Sequence, residues 1–220
     1  MPPNKRHTTP FILFFRNHVY PHLVDRLGDP PPIRTVRRRI IPWAQGTVLE
    51  IGVGSGANFA YYDSSRVRKL YALEPNPGMI RLAQTARRRT QLNVEFLDQP
   101  GERLPLGDAT VDTVVSTFTL CTIAGVEEAI RGLARVLRPD GRLIFFELGL
   151  APDPAVQRWQ KRLEPVHHWL FQGLYLTRDI PSLIKRGGFQ IEQIEAGYLA
   201  QFPRSSSYSW WGAATPDHIT

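Results

Sequence analysis

Apolar residues recur along this chain in two rhythms. Five short runs read as strands: "GTVLEIG" (46–52), "RKLYALEPN" (68–76), "NVEFLD" (93–98), "VDTVVSTFTL" (111–120) and "GRLIFFELG" (141–149). They are apolar with little alternation, the pattern of strands buried on both faces. Helical patterns lie between them. In "GVEEAIRGLARVLRPDG" (125–141), Val126, Ala129, Ile130, Leu133, Ala134 and Leu137 share one face, and Pro139-Asp140-Gly141 is the expected stop. Strands alternating with helices predict βαβ units and a mostly parallel sheet covered on both sides.

The ends differ from the middle. Residues 1–10 are polar and contain proline, and read as a loose tail. Residues 10–27 read as an amphipathic helix kinked near Pro21, and "GDPPPIRT" (28–35) as a turn or linker. After the fifth strand, Trp159, Leu163, Val166 and Leu170 stand at helical spacing in a segment too long for a plain connection, which predicts a cap. A further helix follows, opened by Thr177 or Asp179 and closed by Gly187-Gly188, and then two strands, the last at 207–215. Those two strands predict an antiparallel hairpin at the sheet edge. The expected organisation is a tail and lid helix over 1–45 and one domain over 46–220, with its cap at 150–186.

Composition narrows the picture. At 220 residues the chain suffices for one α/β domain. The single cysteine, Cys121, leaves no internal disulfide, and the longest apolar run near the N-terminus, Phe11 to Phe15, is too short for a membrane span. A cytoplasmic location is the expectation. The net charge of +7 gathers at Arg34, Arg37, Arg38 and Arg39, and again at Arg87, Arg88 and Arg89. Neither cluster is interleaved with aromatics, so solvated helix faces are favoured over a nucleic-acid surface. No Cys/His/Asp/Glu cluster has metal-ligand spacing.

The chemistry enters at "VLEIGVGSGANF" (48–59), where Gly52, Gly54 and Gly56 turn the first strand toward a helix. Glycine there permits unusual φ and lets a ligand touch the backbone. Glu74 ends the second strand, where an acid can accept hydrogen bonds from both hydroxyls of a ribose. The ligand is therefore nucleoside-like. The dinucleotide fingerprint is G-x-G-x-x-G, whereas this turn reads G-x-G-x-G with Asn58 beyond it. That spacing favours S-adenosylmethionine (SAM) over the cofactor of an NAD(P)-dependent oxidoreductase.

Four blocks in order, "VLEIGVGSG", "ALEPNPGMI", "GERLPLGDATVDTVVSTFTL" and "RVLRPDGRLIFFE", resemble the class I SAM-dependent methyltransferases over roughly residues 46–215. The resemblance implies a Rossmann-like, seven-stranded, mostly parallel sheet with an antiparallel edge strand and helices on both faces. It implies SAM as cofactor and S-adenosylhomocysteine as product. The methionine end falls to Gly52, Val53 and Gly54, with Glu50 beside them, and the ribose to Glu74. Adenine is flanked by Pro75, Met79, Gly101 and Glu102, and Thr117 and Leu120 close the floor. Many relatives place an aspartate on the adenine amino group where this chain has Gln99-Pro100.

Farther along, "FTLCTI", "FFELG" and "LEPVHHWLFQGLYLTRD" resemble the small-thiol S-methyltransferases of animals and their bacterial relatives. The shared features are Glu147, His168, Phe171, Gly173 and Leu176-Thr177-Arg178. This implies a small thiol or hydrosulfide as acceptor, with His168 or Glu147 accepting its proton. The animal proteins carry an N-terminal membrane anchor, which is not carried over to the short Phe11–Phe15 patch. A lipid, quinone or phenol acceptor at a membrane surface is the alternative, with the N-terminal helix as a membrane foot rather than a lid. A nucleic-acid partner is not expected, since the place of an Asn/Asp-Pro-Pro-aromatic box reads "STFTL".

Several of these residues also have plain structural readings. Glu50 has an equal reading as a pair inside the strand turn, Cys121 is expected as a small buried apolar side chain, and Trp159, Trp169 and Phe171 as packing. His167 and His168 point about 100° apart on a helix, so only one of them can face a site.

Overall fold

The computed structural model describes residues 14–171 and 173–217. The expected tail at 1–10 and most of the Phe11–Phe15 patch lie outside the described residues. A π-helical turn, Phe15–Val19, leads into α1, Tyr20–Leu27. The change of winding falls where Pro21 was expected to break the helix. Pro21 itself sits in the first turn of α1, where its missing N–H is no loss.

Helix α2, Pro31–Ile40, replaces most of the expected linker. Pro31 and Pro32 occupy its first turn, the one place where prolines suit a helix, so the proline run starts the helix instead of preventing it. Ile33, Val36 and Ile40 are buried along one face of α2, in the same cluster as Val48 and Val115 of the sheet. The expected boundary at residue 45 is thus not a break in the core.

The sheet consists of β1 (Gly46–Ile51), β2 (Val67–Leu73), β3 (Val94–Leu97), β4 (Val111–Thr117), β5 (Leu137–Leu148), β6 (Phe189–Tyr198) and β7 (Tyr208–Pro216), in the order β3-β2-β1-β4-β5-β7-β6. β1 to β5 are parallel, and β7 pairs antiparallel with both β5 and β6. The hairpin is at the edge as expected, and within it the reversed strand β7 is inserted between β5 and β6. Helix α3 (Pro77–Arg87) follows β2 and α4 (Val126–Val136) follows β4. Leu137, expected on the α4 face, instead begins β5 and pairs with Val111, so the strand takes up the Pro139-Asp140-Gly141 stop.

Alternate side chains of the strands feed two apolar layers. Val48, Leu70, Val115, Ile144 and Phe146 face α2 and α3. Leu49, Ile51, Val114, Leu143 and Phe145 face α4 and α6 (Ile180–Arg186). Asp179 caps α6 by accepting from the Ser182 N–H at 3.2 Å.

The cap helix α5, Pro154–Leu170, departs from expectation. Its one buried residue is Gln160, whose amide binds Ala151 N–H and Gly149 C=O and ties the cap to the end of β5. Trp159 is 55% and Trp169 80% exposed, and Phe171 is also exposed, so they are not core packing. Arg87, Arg88 and Arg89 are solvated as expected, and Arg39 pairs with Glu195. Arg37 is the exception, 6% exposed.

Candidate active site

The site forms where the chain leaves the carboxyl ends of β1, β2 and β4, beside the point where the strand order reverses between β1 and β4. Gly52 and Gly54 have φ of +64° and +57°, the left-handed region that costs other residues about 1 kcal/mol or more. A Cβ on Gly52 would lie 2.3 Å from Thr119 Oγ1, so this glycine lets the loop after β4 close on the turn. A Cβ on Gly54 would meet nothing within 4 Å, because that side opens to a cleft.

Glu74 is fixed by two backbone donors. Gly54 N–H reaches Oε2 at 3.0 Å and Asn76 N–H reaches Oε1 at 2.9 Å. Burial pushes its carboxyl above the usual range, and those two donors work against the shift. Asn76 caps α3 through Gly78 N–H at 2.8 Å, which sets Met79 beside Glu74 in the cleft wall.

The cleft has a volume of about 540 Å³. Of the residues expected in it, Gly52, Val53, Gly54, Glu74, Pro75, Met79, Gly101, Glu102 and Thr117 line it. Glu50, Leu120, Glu147 and His168 do not, each for a definite reason. Glu50 lies beneath the turn and accepts from Asn58 Nδ2 and the Tyr62 hydroxyl, both at 2.8 Å. Leu120 is fully buried in the α4 layer.

Glu147 is fully buried on β5, with its carboxylate committed to Ser116 Oγ at 2.6 Å and to Thr119 N–H and Cys121 N–H, each at 3.1 Å. His168 lies on the exposed last turn of α5, its ring edge-on to Tyr175 at 4.7 Å. Cys121 is buried, and burial followed by the Glu147 charge pushes its thiol well up, consistent with a structural cysteine.

Several other wall residues lie outside the sequence expectation. From the N-terminal segment come Tyr20, Asp25 and Arg37; from the turn, Asn58; from the loop after β4, Phe118, Thr119, Thr122 and Ile123; and from the end of the cap, Phe171. Burial and the Glu74 charge push the Tyr20 phenol up to about 12. Arg37 gives Nη1 to Gly28 O at 2.9 Å and Asp29 Oδ1 at 2.8 Å. A signal for its burial was present, since Ile33, Arg37 and Ile40 stand at i, i+4 and i+7.

The wall charges match those of SAM. Among the described lining residues Arg37 is the only cation, against the acids Asp25, Glu74 and Glu102. SAM carries the complement: a sulfonium, an ammonium and one carboxylate. Arg37 Nε and Asn58 Oδ1 are both buried without a partner, a donor and an acceptor left over in the wall. Among the described residues no three His, Cys, Asp or Glu side chains gather as a metal site, and no helix is long and apolar enough to cross a membrane.

Residues 49–145 match the methyltransferase domain family. The chain is similar to human thiol S-methyltransferase TMT1A, 31% identical over 77% of this chain and 71% of the relative. It is also similar to rat thiol S-methyltransferase TMT1B, 33% identical over 68% of this chain and 62% of the relative. The crystal structure of a SAM-dependent methyltransferase from Aquifex aeolicus superposes with a TM-score of 0.59 at 19% identity, covering 88% of this chain and 97% of that one. With this domain, this much shared sequence and this seven-stranded sheet, the chain belongs to the class I SAM-dependent methyltransferases.

Proposed function

We propose that this cleft carries methyl transfer to the sulfur of a small thiol or hydrosulfide. In this reading Glu74 holds the ribose hydroxyls and the Gly52–Gly54 backbone borders the methionine end. Arg37 pairs with the carboxylate, and Pro75, Met79 and Gly101 flank the adenine. Bound SAM supplies a methyl group on a sulfonium, displaced in line. The protein's own task is alignment and exclusion of water.

The observation that carries the thiol reading is the remaining wall. Phe118, Thr119, Thr122, Ile123 and Phe171, together with Tyr20 and Asp25, include no histidine, lysine or cysteine, and Asp25 is the one carboxylate among them. A thiol of pKa near 8.5 is already partly ionised at neutral pH, whereas a phenol or an amine needs a base to become nucleophilic. The similarity to human and rat proteins named thiol S-methyltransferases supports the same acceptor. Incubation with SAM and a panel of thiols, phenols, quinols and phosphatidylethanolamine should release S-adenosylhomocysteine with thiols, at a rate that follows each thiol's own ionisation. His168→Ala should change turnover of alkyl thiols by less than about threefold, far below the 10²–10⁴-fold of a lost general base. Turnover of a phenol or lipid amine with no thiol turned over would overturn the acceptor.

One feature favours the second reading, a lipid or quinol acceptor at a membrane surface. Phe14, Phe15, Val19 and Leu23 are exposed at the N-terminus, as are Trp169 and Leu170 on the cap. The panel separates the two readings.

The N-terminal helix serves in this proposal as a lid, because it brings Tyr20 and Asp25 to the cleft. It docks on α3 at Gly78, where a Cβ would lie 2.1 Å from Asn17 O and 2.7 Å from Pro21 Cγ. Arg81 Nη2 also donates to Asn17 O at 2.9 Å. Gly78→Ala should therefore displace the lid while sparing α3, since alanine is worth up to about 1 kcal/mol over glycine in a helix. Turnover should fall about 10- to 100-fold at unchanged melting temperature. Undiminished turnover would show that the lid position is immaterial.

A further inference from the structure

Phe118 is one of three described non-glycine residues with positive φ, at +53°. The other two, Ala109 and Gln201, lie in exposed turns, whereas Phe118 is in the cleft wall. A bulky side chain in the left-handed region persists only where its surroundings over-determine it. The surroundings here are specific. The Phe118 N–H donates to Phe146 O at 2.8 Å, and its ring packs against Phe146 with centroids 4.5 Å apart. In the residues that follow, Thr119 N–H and Cys121 N–H donate to the Glu147 carboxylate, each at 3.1 Å, and Leu120 N–H also stabilises that carboxylate. Two of the loop's carbonyls go to the cap: Arg178 donates to Leu120 O, and Tyr175 N–H to Cys121 O at 2.8 Å.

We propose that Glu147 is a positioning residue, whose carboxylate gathers Ser116 Oγ–H, Thr119 N–H and Cys121 N–H and thereby holds Phe118 left-handed against the cleft. The proposal rests on the methyltransferase reading of that cleft. The chemistry requires a carboxylate. Ser116 Oγ–H and the backbone N–H groups of Thr119, Leu120 and Cys121 all act on it as donors, and an ionised carboxylate is the side chain that only accepts. The loop it holds is also the one that Gly52 makes room for: Thr119 Oγ1 lies 3.4 Å from Gly52 O, so a shift of Thr119 reaches the glycine turn. Glu147 thus acts on the reacting face from behind the sheet end, without touching the cleft.

Glu147→Gln keeps the size but turns an amide N–H₂ toward a backbone N–H. Amide hydrogen exchange should quicken at least about tenfold at Thr119 and Cys121, while Leu49 and Glu50 of β1 stay unchanged. S-adenosylhomocysteine affinity, read by calorimetry, should stay within about threefold, and kcat with dithiothreitol should fall at least about tenfold, the pattern of lost alignment. Unchanged exchange at both amides, or an affinity loss as large as the loss in kcat, would overturn the proposal. If Glu147→Gln fails to fold, Ser116→Ala removes one of the donors and should show the same pattern at smaller amplitude, with unchanged exchange again overturning it. Absence of thiol turnover in the unmodified protein would count against the acceptor alone, since exchange and S-adenosylhomocysteine affinity need no acceptor.

Discussion

Glu74→Ala should weaken SAM and S-adenosylhomocysteine binding by about 2 kcal/mol or more, roughly 30-fold, the cost of charge-assisted hydrogen bonds to two ribose hydroxyls. The effect should be confined to binding. Glu74 sits 8% exposed with its carboxyl pushed up by burial, so its charge is a cost to the folded protein that the alanine variant no longer carries. The Gly54 and Asn76 N–H groups lose their acceptor and offset part of that gain. Stability near neutral pH should therefore change little while calorimetric affinity collapses. NADH and NADPH should give no heat with either protein. Undiminished SAM affinity in the variant would remove Glu74 from the ribose, and tight NADH binding would return the oxidoreductase reading.

The second large effect is a pH dependence of stability from Glu50. Burial pushes this carboxyl from 4.5 up to about 7, against the pull of the Tyr62 and Asn58 hydrogen bonds. A folded-state pKa above the unfolded one means that ionising the group works against the fold. Its contribution is fully present below about pH 4.5 and is lost as pH rises through about 7. A shift of that size corresponds to about 3 kcal/mol. Glu50→Gln does not titrate, and the Asn58 amide can turn to meet it. The unmodified protein should lose about 3 kcal/mol relative to Glu50→Gln between pH 4.5 and 8, read as the difference in urea midpoints. Parallel curves for the two proteins across that range would refute the buried titration.

Much of the cofactor end of the site was legible because it is local. Gly52, Val53 and Gly54 follow β1, Glu74 and Pro75 follow β2, Gly101 follows β3 and Thr117 ends β4, so the strand ends found by periodicity and the positions implied by the resemblance fall together on the wall. Arg37 was read as one of a solvated cluster, because a run of arginines conceals which of them falls on the apolar stripe of α2. Glu147 and His168 followed from resemblance alone, and residue type does not reveal that one is enclosed by Ser116 and backbone N–H groups while the other faces solvent. Trp159, Val166 and Leu170 stand at helical spacing yet are exposed, because helical spacing does not say whether a stripe has anything to pack against.

The amino-acid sequence alone determined the order of strands and helices, the parallel sheet with its terminal hairpin, and the bare backbone at Gly52 and Gly54. Each is encoded by side-chain period, by turn residues or by the absence of a Cβ, within a few residues of where it acts. Tertiary structure decided which charges face inward, where the proline run goes, and what surrounds each carboxylate. Those outcomes depend on partners far away in the chain: Val115 beneath the buried face of α2, Asn17 over Gly78, and Ser116 and Cys121 around Glu147. A carboxylate on β5 is the same residue in any sequence. The loss of water and the arrival of donors around it exist only once β4, its following loop and β5 have come together.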